Sequence, residues 1–213
     1  MNEYLSYALV AFTSFFTLIN PLGTMPVFMT MTGELTPEQR FKTARKAVLV
    51  AFFTLVAFAF SGKLLFDFFG ISVNALRVVG GIIFFLMGQD MLQARLSKTK
   101  VNEDEVKSYV DDISVTPLAI PMICGPGAIT NSIILMQDAQ DVFMKGVLIA
   151  VMAIVLGITL LVLWSSSKVM KWLGETGNKV MMRLMGLIVM VIAVEFFFSG
   201  LTPILQNIFN VNQ

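Results

Sequence analysis

Ile19-Asn20-Pro21-Leu22-Gly23-Thr24-Met25-Pro26 lies inside residues 5–33, a run of 29 positions without a charged side chain. About 20 apolar residues cross a bilayer, so the run is long enough for a membrane helix, yet helix-breaking residues sit well within it. Proline lacks an amide hydrogen and clashes with the preceding turn, and glycine relaxes the backbone. The stretch therefore predicts a membrane helix interrupted near Asn20. A second stretch repeats the pattern. Pro117-Leu118-Ala119-Ile120-Pro121-Met122-Ile123-Cys124-Gly125-Pro126-Gly127-Ala128-Ile129-Thr130-Asn131 lies inside residues 113–137, 25 positions without charge.

Four further apolar runs complete the chain: 47–66, broken only by Lys63; 71–94, with Arg77 and Asp90; 146–167; and 184–202, with Glu195. Six membrane-spanning helices are expected, in an all-α membrane protein. The 213 residues are 56% hydrophobic and 14% charged, against about a quarter charged in soluble domains. The acidic start Met-Asn-Glu-Tyr and the length of the first run predict a retained helix, not a cleaved leader. A formal net charge of +1 gives no footprint for nucleic acid. With no histidine and only Cys124, the usual zinc ligand sets and a nucleophile–base pair are missing, so neither a metal, a cofactor nor an enzyme is expected.

Lys and Arg set the orientation. Arg40, Lys42, Arg45 and Lys46 follow span one; Arg95, Lys98, Lys100 and Lys107 follow span three; Lys168, Lys171, Lys179 and Arg183 follow span five. Lys63 and Lys145 alone fall on the other side. This bias predicts a cytoplasmic face for the three basic loops and both termini outside.

Pro21 and Pro126 are 105 residues apart, as are Gly81 and Gly186, and Asp90 and Glu195. Three spans separate equivalent points, so the second half enters from the opposite side. The reading is two inverted three-helix repeats, about 4–94 and 113–203, joined by a linker at about 95–112, the first helix of each interrupted; secondary transporters carry this pattern. Unpaired amides and carbonyls at a break cost several kcal/mol each in lipid, so they are expected to line a cavity. Asn20, Thr24, Thr130 and Asn131 add neutral hydrogen-bonding groups, which suit a small neutral solute.

At Asn20-Pro21-Leu22-Gly23 and Gly125-Pro126-Gly127-Ala128-Ile129 the chain resembles the MarC family of bacterial and archaeal inner-membrane proteins, over about residues 5–202. Arg77-Val78-Val79-Gly80-Gly81 and Arg183-Leu184-Met185-Gly186 are also similar. The resemblance implies a polytopic cytoplasmic-membrane protein and, for part of the family, transport of small neutral amino acids such as glycine and alanine. Its motif positions are Asn20, Pro21, Gly23, Gly125, Pro126 and Gly127.

Charges inside a span default to functional candidates, here Glu195, Asp90 and Arg77, as coupling sites for a proton or a sodium ion. The Phe196-Phe197-Phe198 run is expected to face lipid, and Gly80-Gly81, Gly88 and Gly186 to let helices approach closely. A secondary carrier is the reading these features favour; the alternative is a passive channel for small polar solutes.

Overall fold

The computed structural model describes residues 3–33, 35–93 and 106–209. Most of the expected linker, with Arg95, Lys98 and Lys100, lies outside the described residues. Every regular element described is helical: α1 (Glu3–Ile19), α2 (Pro21–Met31), α3 (Pro37–Phe69), α4 (Val73–Leu92), α5 (Val106–Ile113), a π-helical segment (Ser114–Ile123), α6 (Pro126–Asp138) and α7 (Val142–Phe209). Among the described residues, five stretches are long and apolar enough to cross a membrane: Glu3–Met29, Pro37–Phe69, Val73–Leu92, Val142–Ser166 and Lys179–Phe209. A sixth is formed if Val110–Ile123 and Pro126–Asp138, bent by 61° from one another, count as one span.

Local chemistry sets the boundaries. The Thr36 hydroxyl accepts from the Gln39 N–H at 3.3 Å while the Gln39 side chain accepts from the Thr36 N–H at 2.8 Å, a capping box that starts α3 with Pro37 in its first turn. Gly70 ends that helix at φ 63°. Ser72 caps α4 through the Ala75 N–H at 3.0 Å. The Arg40 guanidinium donates to the carbonyls of Thr32, Gly33 and Leu35 at 2.8–3.0 Å, neutralising the negative end of α2.

Two expected loops are helical instead. Arg40 to Lys46 form the first turns of α3, and the basic stretch from Lys168 to Arg183 lies within α7. That helix is interrupted at Gly174 (φ 66°, ψ −177°), a backbone region essentially reserved for glycine. The reason is length: α3 has 33 residues, or roughly 50 Å at 1.5 Å each, so it carries its basic end out of a hydrocarbon core of about 30 Å.

The core runs along one stripe of α3, Ala44, Ala47, Ala51, Leu55 and Ala59, all buried at the three-to-four-residue spacing of a helix face. Alanines there let α6 and the π-helical segment approach. α4 packs along the second part of α7, backbone against backbone. A Cβ added at Gly81 would lie 2.7 Å from the Ala193 carbonyl oxygen and 2.8 Å from the Phe197 nitrogen. One added at Gly186 would lie 2.8 Å from both the Gly88 carbonyl oxygen and the Leu92 nitrogen. Any side chain at either position would push the helices apart, so the close approach read from these glycines is realised.

Candidate functional site: two helix breaks and a cavity

The first break is confined to Asn20. Its φ of 46° is left-handed, which asparagine tolerates better than most residues. Pro21 then opens α2, where its missing N–H costs nothing. The Asn20 Oδ1 accepts from the Gly23 N–H at 3.1 Å, and only glycine at 23 leaves room for that side chain, because a Cβ would overlap Asn20 Nδ2 and Cγ. Asn-Pro-x-Gly is thus a helix cap written into four residues. The ladder continues across it, from Asn20 N–H to the Phe16 carbonyl at 3.0 Å and from Thr24 N–H to the Asn20 carbonyl at 3.1 Å. The expectation of unpaired backbone is corrected at these positions: the break satisfies them itself. The Thr24 hydroxyl, buried, donates to the Pro21 carbonyl at 2.9 Å.

The second break is larger. Thr116 and Ile120, each before a proline, are extended (ψ 124° and 122°), as steric clash with the proline ring requires. The Cys124 N–H reaches the Ala119 carbonyl at 2.7 Å. Gly125 occupies the cap position of α6, with Pro126 in its first turn and no side-chain cap. Gly125, Pro126 and Gly127 are all buried. The Thr130 hydroxyl, 3% exposed as a residue, is buried without a hydrogen-bond partner. The Asn131 Nδ2 donates across to the Ser14 Oγ on α1 at 3.0 Å.

A cavity of about 130 Å³ adjoins the first break, lined by Thr17, Leu18, Ile19, Asn20, Gly23, Thr24, Phe84, Met87, Met91, Met122, Val189, Ile192 and Phe196. Asn20, Gly23 and Thr24 of the predicted site therefore come together at it, and Pro21 sets the break beside it. Gly125, Pro126, Gly127, Thr130 and Asn131 do not line it. Four lining pairs are separated by 105 residues: Thr17 and Met122, Phe84 and Val189, Met87 and Ile192, Met91 and Phe196. The helix contacts obey the same offset, since Ala193 and Phe197 against Gly81 correspond to Gly88 and Leu92 against Gly186.

Asp90 and Glu195 are exposed on the outer faces of α4 and α7, and Arg77 is half-buried; none of the three lines the cavity. The phenylalanine run divides: Phe198 is 57% exposed, while Phe196 turns inward onto the cavity. The expectation that all three face lipid is corrected on geometry, because successive helix residues point about 100° apart and three in a row cannot share one face. Sequence reasoning also missed Phe84, Met87, Met91, Met122, Val189 and Ile192. Their signal was the 105-residue offset, extended from the breaks to apolar positions.

A sequence profile described as MarC family integral membrane protein matches residues 5–205. A UPF0056 membrane protein of Methanocaldococcus jannaschii is 37% identical over 199 residues, covering 92% of this chain and 97% of that protein. The UPF0056 membrane protein YvbG of Bacillus subtilis is 38% identical over 92% of this chain and 94% of its own length. The UPF0056 membrane protein YhcE of Escherichia coli is 31% identical over 93% and 94%. No solved structure matches.

Proposed function

Because this chain is a member of the MarC family of integral membrane proteins, we propose that it is a secondary transporter of a small neutral solute, foremost neutral amino acids such as glycine or alanine. The observation that carries the reading is the cavity of about 130 Å³ beside the Asn20 break. Its size suits a solute of a few heavy atoms. The Asn20 Nδ2 offers a donor for a carboxylate, and the apolar remainder suits a short side chain.

Alternating access between two inverted repeats is part of the proposal. Its support is the 105-residue offset shared by the cavity lining and by the α4–α7 contacts, the relation that a pseudo-two-fold axis through the cavity would produce. The proposed setting is the cytoplasmic (inner) membrane with both termini outside, from the bias of Lys and Arg toward the loops after spans one, three and five. Coupling to a proton or sodium ion is proposed with Glu195, Asp90 and Arg77 as candidates. The position of the two carboxylates outside the cavity makes any coupling by them indirect.

Counterflow of radiolabelled glycine and alanine in proteoliposomes tests the reading, with Asn20→Leu as control and imposed proton or sodium gradients as the second variable. Accelerated exchange that the variant loses supports a carrier, and the effective gradient names the ion. Flux that is insensitive to gradients and shows no exchange would replace the carrier by a passive channel.

A further inference from the structure

Phe84 and Phe196 lie against both the cavity and the glycines of the second break. Both rings line the cavity. A Cβ added at Gly125 would lie 2.6 Å from Phe84 Cζ, and one added at Gly127 would overlap Phe196 Cζ. The two rings meet edge to face, with centroids 6.2 Å apart and planes at 82°, the arrangement aromatic quadrupoles favour. Each ring therefore fills a notch that exists only because position 125 or 127 has no side chain.

The partners of these residues at the 105-residue offset are Val189 and Met91. Both line the cavity near the first break, and neither has a ring. The asymmetry accounts for where the space lies: a narrow aliphatic and a flexible thioether leave room beside Asn20, while two rings close the path beside Gly125. Cys124, wholly buried, is adjacent in sequence to the Gly125 notch that Phe84 fills.

We propose that Phe84 and Phe196 form the internal barrier of the transport path, separating the Asn20 cavity from Gly125 and Gly127 of the second break and setting the largest solute the cavity admits. This rests on the transporter reading for its solute arm, but the barrier itself is read independently through Cys124, the single cysteine of the chain.

The experiment follows modification of Cys124 by a small methanethiosulfonate reagent in membranes, for the unsubstituted protein, Phe84→Ala, Phe196→Ala and the double variant. In parallel, counterflow is measured for glycine, alanine, valine and leucine. Thiol modification is expected to accelerate by on the order of tenfold in the single variants, which corresponds to about 1.4 kcal/mol of lost barrier, and further in the double variant. The size limit is expected to move from alanine toward leucine. Gly127→Ala should shrink the cavity by driving the Phe196 ring into it and reduce alanine exchange, and adding Phe196→Leu should restore exchange; a merely structural ring would show no such rescue. Unchanged Cys124 modification in all folded variants overturns the barrier. Failure of the unsubstituted protein to exchange any of the four amino acids overturns the transporter reading alone, and Cys124 then decides the barrier.

Discussion

The two breaks use the same opening, a proline in the first turn of a half-helix, and finish it differently. At Asn20 a side chain folds back and caps α2, and the helical ladder runs through so that Glu3–Met29 forms one span. At Gly125 there is no side chain to fold back, the chain turns by 61° between helices, and aromatic rings occupy the place of the cap. A polar cap and an apolar plug are thus alternative ways of keeping water from a helix end inside a membrane. Beyond that plug, the Thr130 hydroxyl in α6 is buried without a hydrogen-bond partner.

The largest effect is expected where the cap and the cavity coincide. Asn20→Leu removes the donor, fills the space and places a branched side chain at a left-handed φ; exchange should fall by roughly 100-fold while the protein still inserts. Asn20→Gly keeps the backbone conformation and costs only a few tenths of a kcal/mol as a cap. Its exchange, measured beside its thermal unfolding, separates the ligand role of the amide from its capping role. Equal loss of exchange and stability would reduce Asn20 to a cap.

Gly125→Asn makes the second break resemble the first. Phe84 blocks the new side chain, so destabilisation of about 2 kcal/mol is expected from overpacking, read as a lowered unfolding temperature in detergent. If the variant unfolds normally, the two breaks are interchangeable and the contrast drawn between them fails. Thr130→Val removes the orphan hydroxyl at nearly constant shape; stability should be unchanged or rise by about 1 kcal/mol, in a denaturation series. A clear loss instead would mean that the hydroxyl has a partner in the membrane, for instance a solute at the second break.

The smallest effect concerns how the breaks are moored together. Tyr4 on α1 donates to Asp141 at 2.9 Å, and Tyr7 donates to the Leu135 carbonyl on α6 at 2.7 Å. The Met144 N–H, then the Tyr4 hydroxyl, hold the Asp141 carboxyl below its usual range. A carboxylate with a lowered folded pKa stabilises the fold above its unfolded value of about 3.9, and that contribution is lost as pH falls through the lower, folded value. Unfolding temperature should therefore drop on acidification below about pH 4, and the drop should be smaller in Asp141→Asn.

Much of this architecture was legible from proline, glycine and missing charge. Pro21, Pro126, Gly81 and Gly186 announce breaks and close approaches because each acts through a backbone property that no neighbour can override. The side chains were harder. Asn20 reads equally as a ligand or a cap until its Oδ1 is seen on Gly23. Phe196 sits in a run of three rings, and composition alone does not say which one turns inward. Asp90 and Glu195 stand out by their charge, yet charge does not specify a face, and both are exposed on the outside of their helices.

Gly174 carries a consequence for topology. A straight helix of the 68 residues from Val142 to Phe209 would be roughly 100 Å long, more than three times the hydrocarbon core. One glycine in a conformation closed to most other residues breaks that rod between two apolar stretches, Val142–Ser166 and Lys179–Phe209, at the point where the charged residues from Lys168 to Arg183 already keep the chain out of the hydrocarbon. Gly174→Val would therefore strain the turn between two spans that still insert, visible as a lowered unfolding temperature with the C-terminal tag unmoved in a protease-protection assay.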